Sequence, residues 1–153
     1  MLHLCLLQAP VTCKPGFGAK TGSGYAATTT ATCTLVRPNT AAWAATPGCE
    51  PIPCGLPPPP FKLPGGPGSQ GSASMIISNP NTLAATVIQD PSGITSPTTA
   101  AVTVPNAYTC GDAKKFVPDN GGSLVCSFGL SSATPTTPLW SSGKCNPVKA
   151  SVT

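Results

Sequence analysis

The residues best placed for chemistry are eight cysteines: Cys5, Cys13, Cys33, Cys49, Cys54, Cys110, Cys126 and Cys145. Cysteine can bind zinc as thiolate, act as a nucleophile, or close disulfides. A zinc site wants closely spaced pairs or histidine partners. The chain has no C-x-x-C, and its one histidine is His3, among leucines. No metal or other cofactor is therefore expected. The spacing repeats instead. Cys13, Cys33 and Cys49 are followed by Cys110, Cys126 and Cys145, with Trp43 and Trp140 each five or six residues before the last cysteine of its set. An even cysteine count at repeated spacing, in a chain rich in Pro, Gly and Thr, reads as a disulfide framework made in an oxidising compartment. Spacing alone leaves many pairings open.

Other chemistry finds little material. A nucleophile–base pair needs a histidine held near a hydroxyl or thiol, and His3 reads as a strand residue. Carboxylate-pair hydrolysis needs two acids across a cleft. Glu50 falls between cysteines, and Asp90, Asp112 and Asp119 flank Gly, Pro or Asn, where turn duty explains them. The same acids do not alternate as a calcium loop requires. Gly66-Pro67-Gly68-Ser69-Gln70-Gly71 matches the dinucleotide glycine string, but a proline-rich run precedes it and no helix is expected after it, so it reads as a loop. Lys114-Lys115 could meet an anionic glycan, though an exposed loop pair accounts for it. Trp43 and Trp140 could stack on sugars, but their repeated position argues for two core residues. The chain reads as non-enzymatic.

The elements that must hold these residues follow from composition. The chain has 153 residues, 20 Pro and 16 Gly, and only 8% charged residues. That much proline rules out long helices. Four Phe, two Tyr and two Trp make a thin core, which small domains offset with covalent staples. The net charge of +4 is spread without a basic stripe, so no nucleic-acid partner is expected. No apolar run is long enough to span a membrane. Met1 to Pro10 is apolar, has no basic lead and contains Cys5; it is read as a first strand rather than the remnant of a leader.

Strands are expected near 2–13 and 25–32, and at Met75-Ile76-Ile77, Thr86-Val87-Ile88 and Ala101 to Val104. Further strands are expected at Lys115-Phe116-Val117 and Ser123 to Cys126. Gly16, Gly18, Gly22 and Gly24 mark a turn-rich stretch, as do Asn79-Pro80-Asn81 and Asp90-Pro91-Ser92-Gly93. Pro57, Pro58, Pro59 and Pro60 should form polyproline II. The link from Cys49 to Cys54 should be short and stiff.

The cysteine and tryptophan order resembles the sushi module, also called the complement control protein module or short consensus repeat. Thr12-Cys13-Lys14-Pro15-Gly16-Phe17 is similar to the second-cysteine turn of that family. Cys33, Trp43 and Cys49 are similar to the third cysteine, buried tryptophan and fourth cysteine. The four residues before Cys54 match an inter-module linker. Cys54, Tyr108-x-Cys110, Cys126, Trp140 and Cys145 then resemble a second module. The pattern is departed from in the short interval between Cys5 and Cys13, in the long one from Cys54 to Cys110, and at Gly111 to Phe116.

The resemblance implies an all-β, small disulfide-rich fold with little or no helix. It implies one module over residues 1–53, shortened at its start, and one over 54–153 with a Pro/Thr-rich β insertion at about 61–106. It also implies the bridges Cys13–Cys49, Cys54–Cys126, Cys110–Cys145 and Cys5–Cys33.

The expected function is that of an extracellular or cell-surface structural protein. It would be a subunit of a glycosylated fibre, appendage or matrix whose partners are further copies of itself and attached glycans. The β-prone insertion exceeds what an ordinary module can bury, which makes Ile76, Ile77, Val87, Ile88, Val102 and Val104 expected assembly contacts. Expected O-glycosylation sites are Pro57, Pro58, Pro59 and Pro60 with Thr46, Ser96, Thr134 and Thr137, which lie beside or within proline-rich sequence. The alternative is a secreted or cell-surface binding or adhesion module for a protein or glycan ligand. A secreted inhibitor ranks behind both, because the proline-rich insertion has no place in it.

Overall fold

The computed structural model describes residues 7–37, 40–45, 47–88, 99–129 and 136–149. The described residues are mostly strand, arranged in several small antiparallel sheets with no long helix. They fall into two compact units. One is built on the chain up to Ile52, joined by short stretches that include Ile88 and Phe128. The other holds Pro53–Val87, Ala101–Ser127 and the chain from Pro138.

In the first unit β1 (Gln8–Thr12), β4 (Thr28–Arg37) and β5 (Thr40–Ala45) form a sheet in the order β1-β4-β5. Side chains alternate between the two faces of β4, so Thr29, Ala31 and Cys33 turn inward while Thr28, Thr30 and Thr32 face solvent. A second sheet sets β2 (Phe17–Thr21) between β3 (Gly24–Ala26) and β6 (Cys49–Pro51).

Two expectations are corrected here. The glycine-punctuated stretch is a strand over Phe17–Thr21, because Gly18 lets the chains close up: a Cβ there would come within 2.8 Å of Tyr25 Cβ and 3.1 Å of Ile52 Cδ1. The segment after Cys49, expected as a short, stiff link, begins as a paired strand of the first unit. Glu50 sits in β6 opposite Gly18, and the Ile52 N–H donates to the Gly16 carbonyl at 2.9 Å. Ile52 is 3% exposed, so its side chain ties the segment into the unit.

The second unit has one apolar core of Met75, Ile77, Leu83, Ala107, Tyr108 and Leu124, with Phe61, Val104, Trp140 and Cys145 packed against it. β7 (Met75–Ile77) pairs with β9 (Tyr108–Cys110), and β10 (Phe116–Pro118) pairs with β13 (Cys145–Pro147). β11 (Leu124–Gly129) lies between β12 (Leu139–Trp140) and β8 (Thr99–Val104).

Asn79-Pro80-Asn81 does not make a simple turn. It opens a short helix, α1 (Pro80–Ala84), in which the Asn79 side chain accepts from the Thr82 N–H at 3.2 Å and Pro80 occupies the first turn. The helix turns Leu83 into the core. It also displaces the strand expected at Thr86-Val87-Ile88, which leaves the helix as irregular chain. There the Cys54 N–H donates to the Thr86 carbonyl at 2.8 Å, and Ile88 is buried in the first unit.

Candidate functional site

Three disulfides join the described strands. Cys13–Cys49 ties the end of the first sheet to β6, with the Cα atoms 5.7 Å apart. Cys54–Cys126 ties the segment after β6 to the buried centre of β11 at 6.4 Å. Cys110–Cys145 ties β9 to β13 at 5.9 Å. These are the three pairs the sushi resemblance implies among the described cysteines. Cys33 is engaged as well, and Cys5 lies outside the described residues.

The spacing of the two cysteine sets is matched in three dimensions. Cys13–Cys49 spans 36 residues and Cys110–Cys145 spans 35. Cys33 faces Trp43 across β4 and β5, and Cys126 faces Trp140 across β11 and β12. Each repeat therefore places its tryptophan directly opposite its middle cysteine on a neighbouring antiparallel strand. The order of these residues is visible in the chain; the cross-strand pairing needed the register.

The two tryptophans differ in surroundings, which corrects the expectation that both are core residues. Trp140 is half-buried and packs on the apolar core, whereas Trp43 is 54% exposed. The cause lies in what each sheet is given to cover it. Met75, Ile77 and Leu83, all from the long stretch between Cys54 and Cys110, help build the core beside Trp140. Over β5 all residues but Ala45 are exposed.

Two of the six expected assembly contacts are buried in the chain itself. Ile77 and Ile88 are 1% and 5% exposed, spent on the chain's own interior. Ile76, Val87, Val102 and Val104 are half-buried.

Of the expected modification positions, Pro58, Pro59, Pro60 and Thr137 are exposed. Pro57 is buried. Thr46, Ser96 and Thr134 lie outside the described residues, as do His3 and Asp90.

The described acids have local work. Asp112 accepts from the Lys114 N–H at 3.0 Å and pairs with the Lys115 ammonium at 3.7 Å. Asp119 accepts from the Asn120 N–H at 3.1 Å at the start of the turn Asp119–Gly122. Gly66 to Gly71 fold as consecutive turns, with the Ser69 N–H donating to the Gly66 carbonyl at 3.1 Å and the Ser74 hydroxyl to the Gly68 carbonyl at 2.8 Å.

Sequence reasoning did not find the group that organises the second unit. Tyr108 is 1% exposed, and its hydroxyl accepts from the Lys144 N–H at 3.0 Å. The same hydroxyl lies 3.1 Å from the Lys144 carbonyl and 3.3 Å from the Asp119 carbonyl, to which it can donate. It thereby joins β9 to the strands that carry the Cys110–Cys145 bridge. The signal was the Tyr-x-Cys motif itself.

Large apolar side chains stand exposed on several strands: Leu35 at 61%, Leu139 at 58%, Trp43 at 54% and Val117 at 46%. Among the described residues no helix is long and apolar enough to cross a membrane. The chain matches no protein-family model, no curated protein and no solved structure.

Proposed function

We propose that this chain is a tandem of sushi-like modules serving as a non-enzymatic structural subunit outside the cell, assembling with further copies of itself. The observation that carries the tandem reading is the repeated pairing of tryptophan with the middle cysteine, Cys33 with Trp43 and Cys126 with Trp140. The interlaced bridges Cys54–Cys126 and Cys110–Cys145 follow the first-to-third and second-to-fourth order of that family. Disulfides at this density suit an oxidising, extracellular setting.

Exposed apolar side chains on strands favour a role in contact with other protein. The exposed Pro58, Pro59, Pro60 and Thr137 are the described positions open to glycan attachment. The binding-module alternative would draw on the same exposed side chains with a foreign ligand in place of a second copy.

Negative-stain electron microscopy of the non-reduced protein, with sedimentation over a concentration series, tests the reading. Filaments or concentration-dependent oligomers are expected. Particles that stay monomeric at high concentration, with or without reducing agent, would overturn it in favour of the binding module.

A further inference from the structure

The geometry points to β5 as the self-association edge of this chain, adding antiparallel to β5 of a second copy with Trp43 opposite Trp43. The inference rests on the self-assembling reading above and names its contact. β5 is the outer strand of the β1-β4-β5 sheet, and no described strand lies beyond it. Sheet edges are normally guarded by charge, proline, bulges or brevity. β5 reads Thr-Ala-Ala-Trp-Ala-Ala, six residues with neither charge nor proline, and the one register shift of the hairpin lies at its far end, between Leu35 and Arg37. The opposite edge, β1, is guarded by Pro10.

Among the described residues, the sheet face also lacks a cover at this point. Cys33 and Leu35 lie on one face of β4, and Trp43 and Ala41 lie opposite them on the same face of β5. That face is buried at Thr29, Ala31 and Cys33, then opens at Leu35 and Trp43. In the second repeat the tryptophan at the matching register has an apolar core against it.

A second copy fits the edge better than a charged partner does. Directly opposed residues of an antiparallel pair share a face. A two-fold axis through Trp43 therefore sets Trp43 against Trp43, Ala42 against Ala44 and Ala41 against Ala45. The two indoles form a cross-strand aromatic pair, a favourable unit of sheet pairing. The contact is isologous, as in most homodimers. Despite the net charge of +4, no charges meet. The nearest in the hairpin, Arg37, pairs with Thr40. The two Thr40 residues would stand six residues apart, about 20 Å, well beyond the screening length of about 8 Å at physiological salt. One strand pair buries less than the roughly 800 Å² per partner of a standard interface. The dimer should therefore be weak and visible only at high concentration.

The test is sedimentation velocity on the disulfide-intact chain from about 10 μM to about 1 mM, with Trp43→Lys and Ala44→Lys beside the unaltered protein. Both positions are exposed, so the monomer fold is retained, as far-ultraviolet circular dichroism and a non-reducing disulfide map will show. Trp43→Lys sets two ammonium groups directly opposite each other, and it should raise the dimer dissociation constant by at least about tenfold. Ala44→Lys should weaken the dimer less. The unaltered chain should also show tryptophan emission that shifts to the blue as concentration rises. If the unaltered chain self-associates and both variants do so equally, β5 is not the edge, while the self-assembling reading survives. If the unaltered chain stays monomeric throughout, both fail.

Discussion

Replacing Tyr108 by Phe removes one oxygen atom and leaves the ring. The ring is 1% exposed and meets Phe61 edge-on, with centroids 5.4 Å apart, and phenylalanine keeps both features. What is lost is the hydrogen bond accepted from the Lys144 N–H and the donation shared between the Lys144 and Asp119 carbonyls. A net hydrogen bond contributes about 1 kcal/mol, and a buried donor left without a partner costs about 1–3 kcal/mol. The bond from the Lys144 N–H is part-buried although Lys144 itself is exposed, so the low end of that range applies and a total loss of about 2–3 kcal/mol is expected. For a chain of this size that lowers Tm by roughly 5–10 °C.

The assay is urea and thermal unfolding of the oxidised protein, followed by far-ultraviolet circular dichroism. The midpoint should fall without change in the denaturant slope, since the folded and unfolded surfaces are nearly the same. Tyr25→Phe, at a half-buried position in β3, is the control and should stay within about 0.5 kcal/mol. A Tyr108→Phe protein as stable as its parent would refute the assignment of that hydroxyl as the tie between β9 and β13.

Removing the Cys54–Cys126 bridge with the double Cys→Ala variant should cost about 4 kcal/mol from its 72-residue separation; urea unfolding reads it, and a loss under 1 kcal/mol would contradict the pairing. Gly122→Ala should destabilise by at least about 2 kcal/mol, because Gly122 has φ +79 and a Cβ would strike the Tyr108 carbonyl; thermal unfolding measures it. Trp140→Ala should cost about 3 kcal/mol or more, while Trp43→Ala, at an exposed position, should change monomer stability by less than about 0.5 kcal/mol. Equal losses at the two tryptophans would show that Trp43 is covered within the monomer.

Much of the strand content was legible from local pattern. The Thr-rich stretch became the end of β3 and the start of β4 because β-branched threonine suits a half-buried strand, and Met75-Ile76-Ile77 became β7 for a related reason. The bounds shifted where a neighbour decided them: Phe17–Thr21 is a strand because Gly18 admits Tyr25 and Ile52 beside it. Asn79-Pro80 carried a helix-start signal, but the same two residues also signal a turn, and only the burial of Leu83 separates the two readings.

The sequence by itself determined that this is a small disulfide-stapled β chain, because its proline, glycine and cysteine content leaves no other stable solution. It also determined the repeated order of cysteines and tryptophan, since order along the chain is a property of the chain alone. The tertiary structure decided which apolar residues are spent inside and which stand exposed. Ile77 and Ile88 are as β-prone as any residue in the chain, yet they lie buried, whereas Trp43 stands exposed on an edge strand. That difference depends on which distant segment folds over each sheet face, and distance along the chain carries no record of it.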